Sequence, residues 1–231
     1  MKRLKSLLAS VLLVAAAGTP AGAVDRLEGG YAGTTDQGHG EVVYNFLKHF
    51  NYEQYYYAYT HQWTWNNDNR VDAMNIAVFG GHGNTWYIQT LDGGVDLANA
   101  GPGALGGYGT KNAKFIAFES CDVVTSPIEN SDWYTNWTKE PNDVMDGVHQ
   151  ILGFHTLSWQ STDQDVTDTF GWYTSVGVGI WEGWFAAINS RGRGDEFGAA
   201  VMYPPTDGES YAVYGANPPS NMTWLRIWYQ H

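Results

Sequence analysis

Two short stretches of this 231-residue chain carry the residue types of acyl-transfer chemistry. The apolar run Met74-Asn75-Ile76-Ala77-Val78-Phe79 stops abruptly at Gly80-Gly81-His82-Gly83, and Lys114-Phe115-Ile116-Ala117-Phe118 stops at Glu119-Ser120-Cys121. His82 and Cys121 lie 39 positions apart (121 − 82 = 39). A thiol becomes a nucleophile when a nearby imidazole takes its proton, and the oxyanion that forms needs backbone N–H groups facing it. Gly83 has no side chain to obstruct its N–H, and the N–H of Cys121 can supply a second donor. The competing reading of Cys121 is an inert core thiol, because free cysteine is among the most buried residue types.

Such a pair works only if the elements around it bring two loops together. A short apolar run ended by glycine or polar residues reads as a buried strand, so both candidates sit where a strand ends. Val148 to Leu157 reads as a third buried strand, and the Thr85 to Gln89 region as a further one. Helical spacing appears in Val42, Val43, Phe46, Leu47 and Phe50, and again in Ile180, Trp184 and Ile188, with Gly177 dividing Phe170 to Ile188 into two helices. Gln54 to Trp65, rich in Tyr and Trp, reads as a strand, and Pro141 marks a helix start. Phe197 to Tyr203, Tyr211 to Tyr214 and Trp224 to Tyr229 read as short C-terminal strands. Strands alternating with helices imply an α/β fold, with an open, mostly parallel central sheet covered on both faces. In such sheets ligands bind beyond the carboxyl ends of the strands, where His82 and Cys121 both fall.

Composition narrows the function classes. Basic Met1-Lys2-Arg3-Leu4-Lys5, apolar Leu7 to Ala17 and small Ala21-Gly22-Ala23 read as a secretory signal peptide over residues 1–23. Residues 24–231 then form a single domain, secreted or periplasmic, with no membrane association after cleavage. The remaining chain holds nine basic against 24 acidic residues, a balance of −15 that repels nucleic acid and anionic membrane. Eleven Trp, fifteen Tyr and nine Phe supply enough burial for a folded core. In an exported protein the lone Cys121 has no disulfide partner in the chain, which favours a use for it over inertness. Gly101-Pro102-Gly103-Ala104-Leu105-Gly106 matches a dinucleotide fingerprint formally, but it lacks the strand before and the helix after that the fingerprint needs.

The two strand-end motifs resemble those of the caspase, legumain, gingipain and clostripain group of cysteine peptidases. The segments Phe79-Gly80-Gly81-His82-Gly83-Asn84 and Gly147-Val148-His149-Gln150-Ile151-Leu152-Gly153-Phe154-His155-Thr156 are closer still to a bacterial caspase-like family of unassigned function. The resemblance covers roughly Glu41 to Asn189. It implies a caspase-like three-layer sandwich with a small C-terminal strand extension, His82 as general base, Cys121 as nucleophile and Gly83 as oxyanion donor. It also implies that Glu119 helps line the pocket for the side chain before the scissile bond. Ser120 stands where legumains carry alanine.

The resulting expectation is an exported Cys-His cysteine peptidase or peptide ligase acting through an acyl-enzyme on a peptide or protein substrate. Asp163 and Asp165, with Trp159, are candidates for substrate binding. Asp163, Asp165 and Asp168 are also the one place where calcium can be imagined, although charge at a helix N-terminus explains them as well. No other cofactor and no metal centre is expected, and His149 and His155 read as structural. The alternative function is a catalytically silent binding protein that holds a peptide or glycan in aromatic-rich loops around Trp133, Trp137 and Trp159.

Overall fold

The computed structural model describes residues 26–35, 37–51, 54–97, 107–138, 144–219 and 224–231. The elements run in the order β1 (Glu28–Ala32), α1 (His39–Leu47), β2 (Gln54–Tyr57), α2 (Thr60–Trp63), β3 (Ile76–Gly80), β4 (Gly83–Asn84), β5 (Tyr87–Thr90), β6 (Gly93–Asp96) and β7 (Phe115–Glu119). They continue with α3 (Trp133–Thr138), β8 (Gln150–Phe154), α4 (Asp163–Ser175), α5 (Ile180–Arg191), β9 (Gly198–Met202) and β10 (Arg226–Tyr229). Seven strands form one sheet in the order β10-β9-β8-β7-β3-β1-β2. The five from β8 to β2 are mutually parallel, and β9 runs antiparallel to both β8 and β10. Strands β4, β5 and β6 make a separate antiparallel sheet.

The central strands are apolar throughout because both of their faces are covered. Ile76, Val78, Phe115, Ala117, Leu152, Phe154, Ala200 and Met202 point to one side, where they pack with Phe46, Phe170 and Trp184 of α1, α4 and α5. The alternate residues Ala77, Phe79, Ile116, Phe118, Ile151, Ala199 and Val201 point to the other. That second face is covered less by helix than the strand–helix alternation implies. Trp63 of α2, Trp86 of the turn between β4 and β5, Ile88 of β5, and Trp133 and Trp137 of α3 fill it. The architecture is therefore an α/β three-layer sandwich, with helices on one side and a β-hairpin layer with short helices on the other.

Several expectations change. Strand β1 lies between β2 and β3, yet its Gly29-Gly30 pair hides it from a reading of apolar runs. Both positions are tight, since a Cβ at 29 would sit 2.7 Å from Met74 Cγ and one at 30 would sit 2.7 Å from Leu47 Cδ1, so a side chain there would have to displace these neighbours. The Tyr-rich strand ends at Tyr57, and the chain then folds into α2, which buries Trp63. Tyr211 to Tyr214 forms bends instead of a strand, and the Tyr211 hydroxyl donates to Glu28 Oε1 at 2.6 Å. Gly177, with φ of 83°, separates α4 from α5 as its position suggests. The signal segment, the Gly101 to Gly106 loop and Pro141 lie outside the described residues. Among the described residues no helix is long and apolar enough to cross a membrane.

Candidate active site

Strands β3 and β7 are neighbours in parallel register, with Gly80 opposite Glu119. His82 and Cys121 each stand two residues past that pair, so the ladder brings the two loops out side by side. Neighbouring strands lie about 4.8 Å apart. The ladder extends one step further, because the Gly81 N–H donates to the Glu119 carbonyl at 3.1 Å. Side chains alternate along a strand, which assigns Glu119 to the face of Phe115 and Ala117, the face that α4 covers.

His82 is exposed and Cys121 half-buried. The Cys121 thiol lies 3.4 Å from both the carbonyl oxygen and the N–H of Ser158, donating to one and accepting from the other. Behind His82 stands His39, the buried first residue of α1. The two rings meet edge to face with centroids 5.0 Å apart, and His39 Nδ1 lies 2.8 Å from the Thr34 hydroxyl.

Two backbone donors remain for an oxyanion. The Gln89 N–H donates to the His82 carbonyl at 2.9 Å, which makes His82 and Gln89 a hydrogen-bonded pair and leaves Gly83 and Ile88 as the alternate, non-bonded pair. The Gly83 N–H therefore points away from the hairpin. The N–H of Cys121 has no acceptor among the described residues. Glycine is required at 83 on packing grounds as well, because a Cβ there would lie 2.2 Å from Ser120 Oγ and 2.6 Å from Val123 Cγ2.

Beneath these loops is a buried acid pair. Glu119 is 1% exposed and Asp163, the first residue of α4, is 7% exposed. The Ser158 hydroxyl lies 3.0 Å from Glu119 Oε1 and 3.0 Å from Asp163 Oδ1. Burial holds the Glu119 carboxyl well above the usual carboxylate range, and the charge of Asp163 pushes the same way. Burial also raises Asp163, though its hydrogen bond with Glu119 works against the rise. Both carboxyls are thus pushed toward the protonated form, Glu119 the more strongly, and Glu119 Oε2 has no hydrogen-bond partner among the described residues. Glu196 closes the group by accepting from the Trp159 N–H at 2.6 Å and from the Thr162 hydroxyl at 2.8 Å.

The remaining sequence candidates fall into place around this centre. Asp165 is exposed on the first turn of α4 and does not converge with Asp163. Asp168 faces Lys48 at 3.0 Å and His49 at 2.6 Å. The three aspartates therefore point to three different surroundings. Among the described residues no group of three or more His, Cys, Asp or Glu forms a metal site. Trp159 carries the Arg193 guanidinium 4.1 Å above its ring, so one face is occupied. Trp133 and Trp137 are core residues, 6% and 0% exposed, and offer no ring to an external ligand. That removes most of the aromatic surface that a glycan-binding reading needs. His149 pairs with Glu209 and His155 with Glu129, as structural histidines do. Sequence reasoning missed His39, Ser158 and Glu196. Ser158 follows the end of β8, a third parallel strand beside β7, and the rule that ligands bind at such ends points to it.

Among solved structures, the chain is similar to a secreted C11 cysteine protease from Bacteroides thetaiotaomicron, determined in complex with an irreversible peptide inhibitor. The TM-score is 0.33 at 12% identity, covering 71% of this chain and 45% of that one, so this chain spans less than half the length of that protease. No curated protein matches the chain. A family described as "Domain of unknown function (DUF6345)" matches residues 22–217, a span that takes in His82, Cys121 and every strand of the main sheet except β10. The chain belongs to that family.

Proposed function

We propose that this protein is an exported cysteine hydrolase acting on peptide bonds, or using the same intermediate to join peptides, with Cys121 as nucleophile and His82 as base. One observation carries the reading. His82 and Cys121 each stand two residues beyond the Gly80–Glu119 pair on adjacent parallel strands, with two undirected N–H groups beside them.

The Cys121 thiol gives its proton to His82 and its sulfur bonds to the substrate carbonyl carbon. The oxyanion is held by the N–H groups of Gly83 and Cys121, each such donor contributing about 3 kcal/mol in comparable sites. Collapse of the tetrahedral adduct breaks the C–N bond, and His82 returns the proton to the leaving amine. Water then opens the thioester and gives the acid, while a peptide amine in its place gives a new peptide bond. Ser158 fixes the sulfur from one side through its backbone and rests on Glu119 and Asp163 through its hydroxyl. The buried acid pair thereby positions the nucleophile loop.

The test is alkylation of the purified full chain by iodoacetamide at pH 7, followed by mass spectrometry. Cys121 should react faster than glutathione, and His82→Ala should slow it at least about tenfold, a floor set below the roughly hundredfold that a positioned base contributes at least. A Cys121 that reacts like a free thiol and ignores His82→Ala would overturn the assignment. Digestion of a peptide library then reports the substrate.

A further inference from the structure

In nucleophile–base pairs generally, a third group orients the base by hydrogen bonding to it. Among the described residues the His82 imidazole makes no hydrogen bond and no ion pair, and the ring is exposed. Rotation about the Cβ–Cγ bond of histidine has broad minima, so the side chain of His82 does not by itself fix the plane of its ring. What touches the ring is His39, edge to face, with centroids 5.0 Å apart and the two planes at 85°.

The fold seats His39 there from two directions. Ala32, Gly80 and Glu119 stand side by side in register across β1, β3 and β7, and Thr34, His82 and Cys121 each follow two residues later. The ladder continues on both sides of β3, with the Gly33 N–H donating to the Gly80 carbonyl at 2.8 Å and the Gly81 N–H to the Glu119 carbonyl at 3.1 Å. Thr34 and Cys121 therefore flank His82 from opposite sides. The first turn of α1 rests on the same strand end, since a Cβ at Gly80 would lie 2.7 Å from Val42 Cγ1 and 3.3 Å from the His39 carbonyl oxygen. His39 is 4% exposed, and its Nδ1 lies 2.8 Å from the Thr34 hydroxyl. A buried ring packed on backbone and tied by a hydrogen bond has little freedom left, so it can hold an exposed neighbour that would otherwise turn.

We infer that His39 is a positioning residue for the base: anchored by Thr34, its ring fixes the plane of the His82 imidazole so that one ring nitrogen stays turned toward Cys121. The contact is one of ring against ring, so it needs an aromatic side chain at position 39 and not the proton that histidine carries. The role rests on the hydrolase reading, whereas the ring contact does not.

The test uses the full chain and reads the contact and its effect separately. Nuclear Overhauser effects between the ring protons of His39 and His82 report the contact, and their absence would overturn the inference. The effect is read from the rate of Cys121 alkylation by iodoacetamide in His39→Ala and His39→Phe, each made alone and together with His82→Ala. His39→Ala should slow the reaction about two- to twelvefold, the worth of one edge-to-face aromatic pair. His39→Phe, which keeps a ring, should hold the rate within about twofold of native. Together with His82→Ala neither should change the rate further, because a residue that acts through another has no effect once that other is gone. Thr34→Val, nearly isosteric and without the anchor, is the second variant should His39→Ala fail to fold, and it should slow alkylation only while His82 is present. Phenylalanine no better than alanine at position 39 would overturn the inference. So would a loss of rate that persists without His82, which marks His39 as structural only. If His82→Ala itself leaves alkylation unchanged, the hydrolase reading fails and the role falls with it, whereas slowing by His82→Ala with indifference to His39→Ala removes this inference alone.

Discussion

Replacing Glu119 by glutamine isolates the buried acid pair and gives a signed, measurable effect. The amide in Glu119→Gln keeps an oxygen to accept from the Ser158 hydroxyl and offers an N–H₂ to Asp163, so shape and hydrogen bonding survive while the titrating proton is removed. In the unfolded chain Glu119 titrates near the ordinary value of 4.5, whereas in the folded chain burial raises it well above that. Between those two values the folded state holds a proton that the unfolded state has released. The native chain therefore has this contribution in full below pH 4.5 and loses it as pH rises toward the folded value. The linkage slope for one proton is about 1.4 kcal/mol per pH unit. From pH 5 to pH 7 the native chain should fall behind Glu119→Gln by up to about 3 kcal/mol. For a domain of this size that is about 6–12 °C in Tm. Thermal unfolding of both proteins at pH 5, 6, 7 and 8 reads it directly, the gap widening with pH. Parallel curves would mean that burial does not raise Glu119 above its ordinary value.

Two further outcomes concern packing and loop anchoring. Gly83→Ala places a methyl 2.6 Å from Val123 Cγ2 and 2.9 Å from the Tyr87 carbonyl, neither of which can swing away. It should cost about 1–3 kcal/mol, seen as a drop of about 2–12 °C in Tm, and an unchanged Tm would mean that the two strand ends are not in this contact. Asp72 is fully buried and accepts from the N–H groups of Gly109, Lys111 and Ala113 at 2.7, 3.0 and 3.3 Å and from the Thr110 hydroxyl at 2.7 Å. Asp72→Ala should cost about 3–4 kcal/mol in urea unfolding, and Asp72→Asn, which keeps one acceptor oxygen, clearly less.

The parts of this molecule legible in the sequence are those where one local rule dominates. Ile76 to Phe79 and Phe115 to Phe118 are apolar on both faces and stop at polar residues, so strand, burial and end are visible together. The helices α1, α4 and α5 show their spacing because one face is buried and the other wet. Strand β1 is invisible because its glycines answer to Met74 and Leu47, neighbours that only the fold supplies. The Tyr-rich stretch after Gln54 alternates as a strand does, but burial of Trp63 against Tyr31 and Phe79 overrides that pattern and turns it into α2. At the site, His82, Gly83 and Cys121 announce themselves by type and position. Glu119 and Asp163 stand out as carboxylates, yet nothing in the sequence says that they face one another in the interior instead of the solvent. Ser158 shows only by standing past the end of an apolar run, because a hydroxyl gains its meaning from what surrounds it.

The order of strands bears on how the molecule moves. Strand β7 has β8, β9 and β10 outside it, and β3 has β1 and β2, so the pair that roots the site lies in the interior of the sheet. Amides at the edges, in β2 and β10, can exchange with solvent through local fraying, while those of β3 and β7 should open only when the whole sheet does. Deuterium should enter the hairpin of β4 and β5 long before it reaches Phe79 or Phe118. Residues on the two sides of the cleft then share a single rigid foundation, and any opening or closing over a ligand falls to the loops, which can flex without altering the registration of the strands that carry them.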